Sequence, residues 1–244
     1  MQILVINPNS TAAMTAKIAA SVRERAAAGT VIHAANPSDS PASLEGAYDE
    51  AMSLRGLLDL VAQGERDGMD AYVIACFGDP GVAAAREIAS GPVIGICEAA
   101  MHAASFIANS FSIVTTLDRS VPAIEELVLR QGMERRCRRV RAAGIPVLAL
   151  EDESAAAREA VKAQVLAAAR EDRSDAVILG CAGMADLTEW LSAEAGLPVL
   201  DGCVAAVKQA EALVGAGLKT SKFGAYASPL IKHHAAPDLQ RVAS

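Results

Sequence analysis

Short apolar runs alternate along the chain with longer, alanine-rich amphipathic stretches. Residues 3–6, 71–75 and 93–96 carry the β-branched character of buried strands in the first half, and residues 111–115, 147–150, 176–180 and 199–200 in the second. Between them, residues 12–28, 45–65, 82–89, 122–131, 155–170 and 187–195 show helical spacing, and 204–218 predicts a last helix that returns to the first half. Strands apolar on both faces, alternating with helices, predict parallel sheets covered by helices.

The pattern repeats. "DAYVIACFGDPG" (70–81) matches "DAVILGCAGMAD" (175–186), with Asp70 on Asp175 and Cys76 on Cys181 at one offset. "GPVIGICEAA" (91–100) answers "LPVLDGCVAA" (197–206), and "MQILVINPNST" answers "FSIVTTLDRS" (111–120). Agreement over several elements in the same order predicts an internal duplication. The expected fold class is α/β with two pseudosymmetric lobes, residues 1–98 with 207–244 and residues 99–206, and the active site in the cleft between them.

Cys76 and Cys181 each close an apolar run and precede a glycine-containing turn. A lone cysteine is most often a buried filler, and Cys97, Cys137 and Cys203 are read that way. Ligands in open parallel sheets bind beyond the carboxyl ends of the strands, where Cys76 and Cys181 fall. Facing each other about a pseudo-twofold, a thiolate and a thiol form a base and an acid on opposite faces of one carbon. The first removes a proton α to a carbonyl and the second returns one from the far face, which inverts the centre. Helix starts after each cysteine would favour the thiolate. The amides of Phe77, Gly78, Ala182 and Gly183 would hold an anionic or carbonyl oxygen. In "INPNST" (6–11), Ser10 or Thr11 suffices to cap a helix, leaving Asn9 to recognise a carbonyl. Thr115 and Thr116 occupy the matching edge of the second half, as ligand contacts or strand ends.

Composition narrows the alternatives. With 52% hydrophobic and 21% charged residues among 244, the chain sustains a sizeable core. A net charge of −7 argues against nucleic acid and anionic membrane as partners. The basic run "MERRCRRVRAA" (133–143) lacks interleaved aromatics and reads as a solvated strand or helix face. No signal-like segment and no apolar stretch of roughly 18 residues is visible. Five scattered cysteines without CxxC spacing predict neither a disulfide framework nor a zinc site, and point to a cytoplasmic protein. Of the four histidines, His33 and His102 lack ligand spacing, and His233–His234 lie in a tail read as loosely ordered or interface-binding after Pro229. No metal site is expected.

With these residues in view, the sequence resembles the aspartate/glutamate racemase superfamily, in its hydantoin and allantoin racemase branch. "INPNST", "PASLEGAYDEA", "ACFGDPG", "PVIGICEAA", "SIVTT" and "GCAGMADL" carry the resemblance across nearly the whole chain. It implies Rossmann-like lobes, catalytic Cys76 and Cys181, no metal or organic cofactor, and a homo-oligomer, tetramer or hexamer. Amino-acid racemases of the superfamily typically follow their cysteines with Asn-Thr or Thr-Glu. Phe77-Gly78 and Ala182-Gly183 here suit an uncharged ring better than a zwitterion. The implied reaction is racemisation of a 5-monosubstituted hydantoin at C5, with allantoin as the alternative substrate and Phe77 tilting the choice toward hydrocarbon side chains. A cysteine-dependent decarboxylase or maleate isomerase, which would lean on one cysteine, and a non-catalytic two-lobed binder remain as other classes.

Overall fold

The computed structural model describes residues 1–150 and 155–230; the His233–His234 pair and the tail from 231 onward lie outside the described residues. Two four-stranded sheets form, each parallel throughout. The first contains β1 (Gln2–Ile6), β2 (Val31–Ala35), β3 (Ala71–Ile74) and β4 (Val93–Gly95), in the order β2-β1-β3-β4. The second contains β5 (Phe111–Thr115), β6 (Cys137–Ala142), β7 (Ala176–Leu179) and β8 (Val199–Asp201), in the order β6-β5-β7-β8. The duplication read from sequence is thus a duplication of topology.

β1, β3, β5 and β7 are the central strands, and nearly every residue in them is buried. That two-sided burial is why each appears as an apolar run rather than an alternation. The helices are α1 (Ala12–Arg25), α2 (Ala47–Arg66), α3 (Val82–Ile88), α4 (Ile96–Ile107), α5 (Val121–Arg130), α6 (Ala155–Arg170), α7 (Thr188–Ala195) and α8 (Gly202–Gly215). Two of them are exchanged. α4 leaves the first sheet and packs on β7 and β8, whereas α8 leaves the second and packs on β3 and β4. They lie against each other, and a β-carbon at Gly202 would come within 2.5 Å of the Ile96 carbonyl oxygen. Only glycine permits that approach. Through this pair one hydrophobic cluster runs from Ile3 and Val73 to Phe111 and Ile178, so the lobes share a core.

The edges differ from the sequence expectation. The run 147–150 is not a strand but a short 3-10 turn, Val147–Leu150. The strand beside β5 is β6, inside the basic run. After β6 the chain leaves the sheet through Gly144, whose φ of 71° suits glycine, and Pro146 has no N–H to extend a ladder. β2, with sequence VIHAA, went unpredicted. Helix 12–28 ends earlier, at Arg25, and the expected strand 93–96 yields Ile96 to α4. Cys97 and Cys203 are fully buried, as read from sequence, and Cys137 is half-buried against the main cluster. Among the described residues no helix is long and apolar enough to cross a membrane.

Candidate active site

The parallel registers align the carboxyl ends of the central strands. Ile6 pairs with Ile74, and Val114 with Leu179. The Ala75 N–H donates to the Ile6 carbonyl at 2.8 Å, and the Gly180 N–H to Val114 at 2.7 Å. Asn7–Asn9 therefore stands beside Cys76, and Thr115–Thr116 beside Cys181.

Between these two edges lies a cavity of about 280 Å³, at the small end of the roughly 300–1,000 Å³ usual for small-molecule sites. Cys76, Phe77, Gly78 and Asn9 line it from the first lobe, and Cys181, Ala182, Thr115 and Thr116 from the second. Gly183 is not among the lining residues. A β-carbon at Gly183 would meet Leu150 Cδ1 at 3.3 Å and Cys181 Sγ at 3.7 Å, which places it behind the cysteine.

The polar groups are partly committed elsewhere. Asn7 Nδ2 donates to Asn9 Oδ1 at 2.8 Å and to Thr15 Oγ1 at 3.0 Å, and Asn9 Oδ1 also accepts from the Thr11 N–H at 2.9 Å. The cap expected from Ser10 or Thr11 is not made by either side chain; Thr11 Oγ1 donates instead to the Ala42 carbonyl. The oxygen of Asn9 serves the turn, which leaves its Nδ2, set against Met14 Sδ, as the available donor. Thr115 Oγ1 donates to the Gly180 carbonyl at 3.1 Å and so ties β5 to β7, leaving Thr116 as the uncommitted hydroxyl of that edge.

The two cysteine loops differ in a way the repeat conceals. Cys181 precedes a 3-10 segment, Ala182–Leu187, directly. Cys76 does not open a helix: residues 76–81 form a loop and α3 begins only at Val82. Asp79, with φ of 46°, closes a turn onto the Cys76 carbonyl. Its carboxylate accepts from the backbone N–H groups of Cys97 and Glu98, both at 2.9 Å, and so caps α4. Asp79 occupies the space a side chain at Gly95 would need. In the second lobe the matching position is Asp201, which caps α8 itself through Cys203 and Val204, both at 3.0 Å.

Without a helix start beneath it, Cys76 does not gain the lowered pKa expected from sequence. Burial pushes its thiol up to about 12, against the pull of the Gly78 N–H; Glu50, Cys181 and Asp79 act in the same direction as burial. Reaction of Cys76 with iodoacetamide, followed by peptide mass spectrometry, is therefore expected to accelerate about tenfold per pH unit over about pH 7 to 10. A plateau below about pH 9 would contradict this, because it would mean that the site stabilises the Cys76 thiolate.

Sequence reasoning missed one wall of the cavity. Glu45, Gly46 and Glu50 line it from the segment entering α2, and Arg119 and Val147 from the opposite lobe. Glu45 Oε1 accepts from the Val147 N–H at 2.9 Å, and the Arg119 guanidinium lies over Gly46, so this wall bridges the lobes. "PASLEGAYDEA" covers part of it, yet nothing local in that stretch shows that it folds over the cysteines. Among the described residues no cluster of potential metal ligands is present.

Residues 3–210 match the family model described as Asp/Glu/Hydantoin racemase. The chain is 54% identical over 232 residues to a Rhizobium meliloti protein named hydantoin racemase, covering 95% of this chain and 96% of that one. It is 44% identical to a protein of the same name from Pseudomonas sp. (strain NS671), covering 96% and 94%. A solved structure described as allantoin racemase from Klebsiella pneumoniae superposes with a TM-score of 0.95 at 48% identity, covering 97% of each chain.

Proposed function

We propose, on the premise that this chain belongs to the Asp/Glu/Hydantoin racemase family, that it racemises 5-monosubstituted hydantoins at C5 without a cofactor. The observation that carries this is the convergence of Cys76 and Cys181, from equivalent strands of the two lobes, on one cavity. One cysteine, as thiolate, takes the C5 proton and becomes a thiol; the electron pair left behind delocalises onto the neighbouring ring carbonyl as an enolate. The other, as thiol, gives its proton to the opposite face of C5 and becomes the thiolate. The reverse reaction exchanges the roles.

Amide N–H groups of Phe77 and Ala182, Asn9 Nδ2 and the Thr116 hydroxyl act as donors to the ring carbonyls in this scheme. The Gly78 N–H is directed at Cys76 and stabilises its thiolate instead. Phe77, Met14 and Ile124 offer apolar surface to a hydrocarbon 5-substituent. Allantoin, a 5-ureidohydantoin, is the second substrate reading. It is favoured by the bridging wall, where Glu45 and Arg119 are suited to a ureido group. The lobes are taken as residues 1–98 with 207–244 and residues 99–206. The enzyme is taken as a cytoplasmic homo-oligomer, tetramer or hexamer, in which exposed Phe106, Ile107 and Leu129 are surfaces for a subunit to cover.

Chiral chromatography of optically pure 5-benzylhydantoin and of one allantoin enantiomer, corrected for spontaneous racemisation, tests the reading. Loss of enantiomeric excess in proportion to enzyme is expected with 5-benzylhydantoin. Turnover of allantoin alone would transfer the assignment to the second substrate, and turnover of neither would overturn it.

A further inference from the structure

Glu50 stands in the first turn of α2 and lines the cysteine cavity. Its Oε1 occupies the space that a β-carbon at Gly78 would take, so the carboxyl lies directly over the loop that carries Cys76. The side chain makes no hydrogen bond and no ion pair among the described residues. A half-buried carboxyl over a reactive loop, with no protein partner, has both oxygens left for a ligand.

We propose that Glu50 is a substrate-binding residue that pairs through both of its oxygens with the cis N–H/C=O edge of a cyclic amide. The proposal rests on the racemase reading above and adds to it the ring edge that is recognised. In a five-membered cyclic amide the ring forces an N–H and its neighbouring carbonyl onto one side. A neutral carboxyl matches that edge: its O–H donates to the ring carbonyl while its other oxygen accepts from the ring N–H. Burial, and then Asp49 on the same helix, raise the Glu50 pKa and so extend the range in which the carboxyl is neutral. The other charged or titratable groups lining this cavity are Glu45, Arg119, Glu126, Cys76 and Cys181.

No covalent bond is made or broken by Glu50. Its effect on rate follows from where charge develops. When C5 loses its proton, negative charge moves onto the adjacent carbonyl oxygen, and the hydrogen bond from the carboxyl to that oxygen strengthens. Glu50 therefore contributes to kcat as well as to KM. An open-chain amino-acid zwitterion presents no such edge, which makes Glu50 a determinant of ring over open-chain substrates.

The test separates binding from chemistry. 5,5-Dimethylhydantoin has no C5 hydrogen and cannot be racemised, and 3,5,5-trimethylhydantoin lacks the edge N–H in addition. In calorimetric titration of the full-length protein, Glu50→Ala is expected to weaken 5,5-dimethylhydantoin binding by about 10- to 100-fold, the scale of two hydrogen bonds. Binding of the trimethyl compound should change much less. Glu50→Gln, whose amide supplies one donor and one acceptor, is expected to restore binding to within about threefold of the original. It should also flatten the decline that ionisation of Glu50 imposes on the unsubstituted protein as the pH rises past the ordinary carboxylate range.

An original protein that racemises 5-benzylhydantoin, with Glu50→Ala binding 5,5-dimethylhydantoin undiminished, would overturn this inference and leave the racemase reading standing. The inference also fails if Glu50→Gln binds no better than Glu50→Ala, since an anionic role would then be required. An original protein that neither racemises nor binds hydantoins or allantoin would overturn the racemase reading and this inference with it.

Discussion

Racemisation is expected to fall by about 10³-fold or more in Cys76→Ser and equally in Cys181→Ser, the scale at which a positioned proton-transfer group contributes. Serine keeps the size and loses the acidity, because its hydroxyl ionises far above a thiol. The two enantiomers have equal free energy, so kcat/KM must drop by the same factor in both directions whichever cysteine is replaced. Hydrogen exchange at C5 behaves differently. Each single variant retains one thiol on one face, so exchange should persist for one enantiomer only, and for opposite enantiomers in the two variants. Cys137→Ser is the control, since Cys137 does not line the cavity, and its rate should match the original. Retention of more than about a tenth of the racemisation rate in either cavity variant would remove that cysteine from the proposed chemistry.

The largest expected effect on stability belongs to Arg141, which the sequence hides within the basic run. Its side chain is 8% exposed. Nε and Nη2 bind both oxygens of Asp172 at 2.7 and 2.6 Å, and Nη2 also reaches Glu171 at 2.7 Å. Asp172, itself 7% exposed, accepts in addition from Ser112 Oγ at 2.9 Å. Arg141→Ala leaves that carboxylate buried without its counter-charge and is expected to cost about 3–5 kcal/mol in urea unfolding. Replacing both partners with methionine should recover most of the loss, because two apolar side chains leave no orphaned charge.

The pH dependence has a definite sign. Burial alone would push the Asp172 pKa up, but the hydrogen bonds from Arg141 and Ser112 outweigh it and the net shift is downward. A carboxylate with a lowered folded pKa contributes stability above its unfolded value and loses it as the pH falls toward the folded one. The gap between the original protein and Arg141→Ala should therefore narrow below about pH 4. A gap that stayed constant to lower pH would mean that Arg141 stabilises by packing rather than by charge.

What the sequence revealed followed from burial. Central strands β1, β3, β5 and β7 have two apolar faces, so their positions and the repeat linking them are visible as runs of Val, Ile, Leu and Ala. All four outer strands have one neighbour, but β4 and β8 are mostly buried and read as apolar, whereas β2 and β6 carry outward positions open to water. VIHAA and CRRVRA consequently lack the run, whereas the apolar segment 147–150 has it and is not in a sheet. Cys76 and Cys181 stood out because duplication placed both at equivalent strand ends. Glu50 and Arg119 carry no comparable local mark, since only the fold brings the start of α2 and the turn before α5 over the cysteines. The expected helix start behind Cys76 failed for a related reason. "FGDPG" looks like the opening of α3, but its aspartate reaches across to cap α4.

Deuterium incorporation during the first few per cent of turnover tests the two-cysteine account most directly. One enantiomer of 5-benzylhydantoin is incubated in D₂O with enzyme, the enantiomers are separated, and the C5 position of each is read by mass spectrometry or proton NMR. If one cysteine removes the proton and the other delivers a deuteron from solvent-equilibrated thiol on the opposite face, the newly formed enantiomer carries deuterium while the recovered substrate retains hydrogen. Equal early labelling of both enantiomers would mean that a single group works on both faces, and would contradict the account.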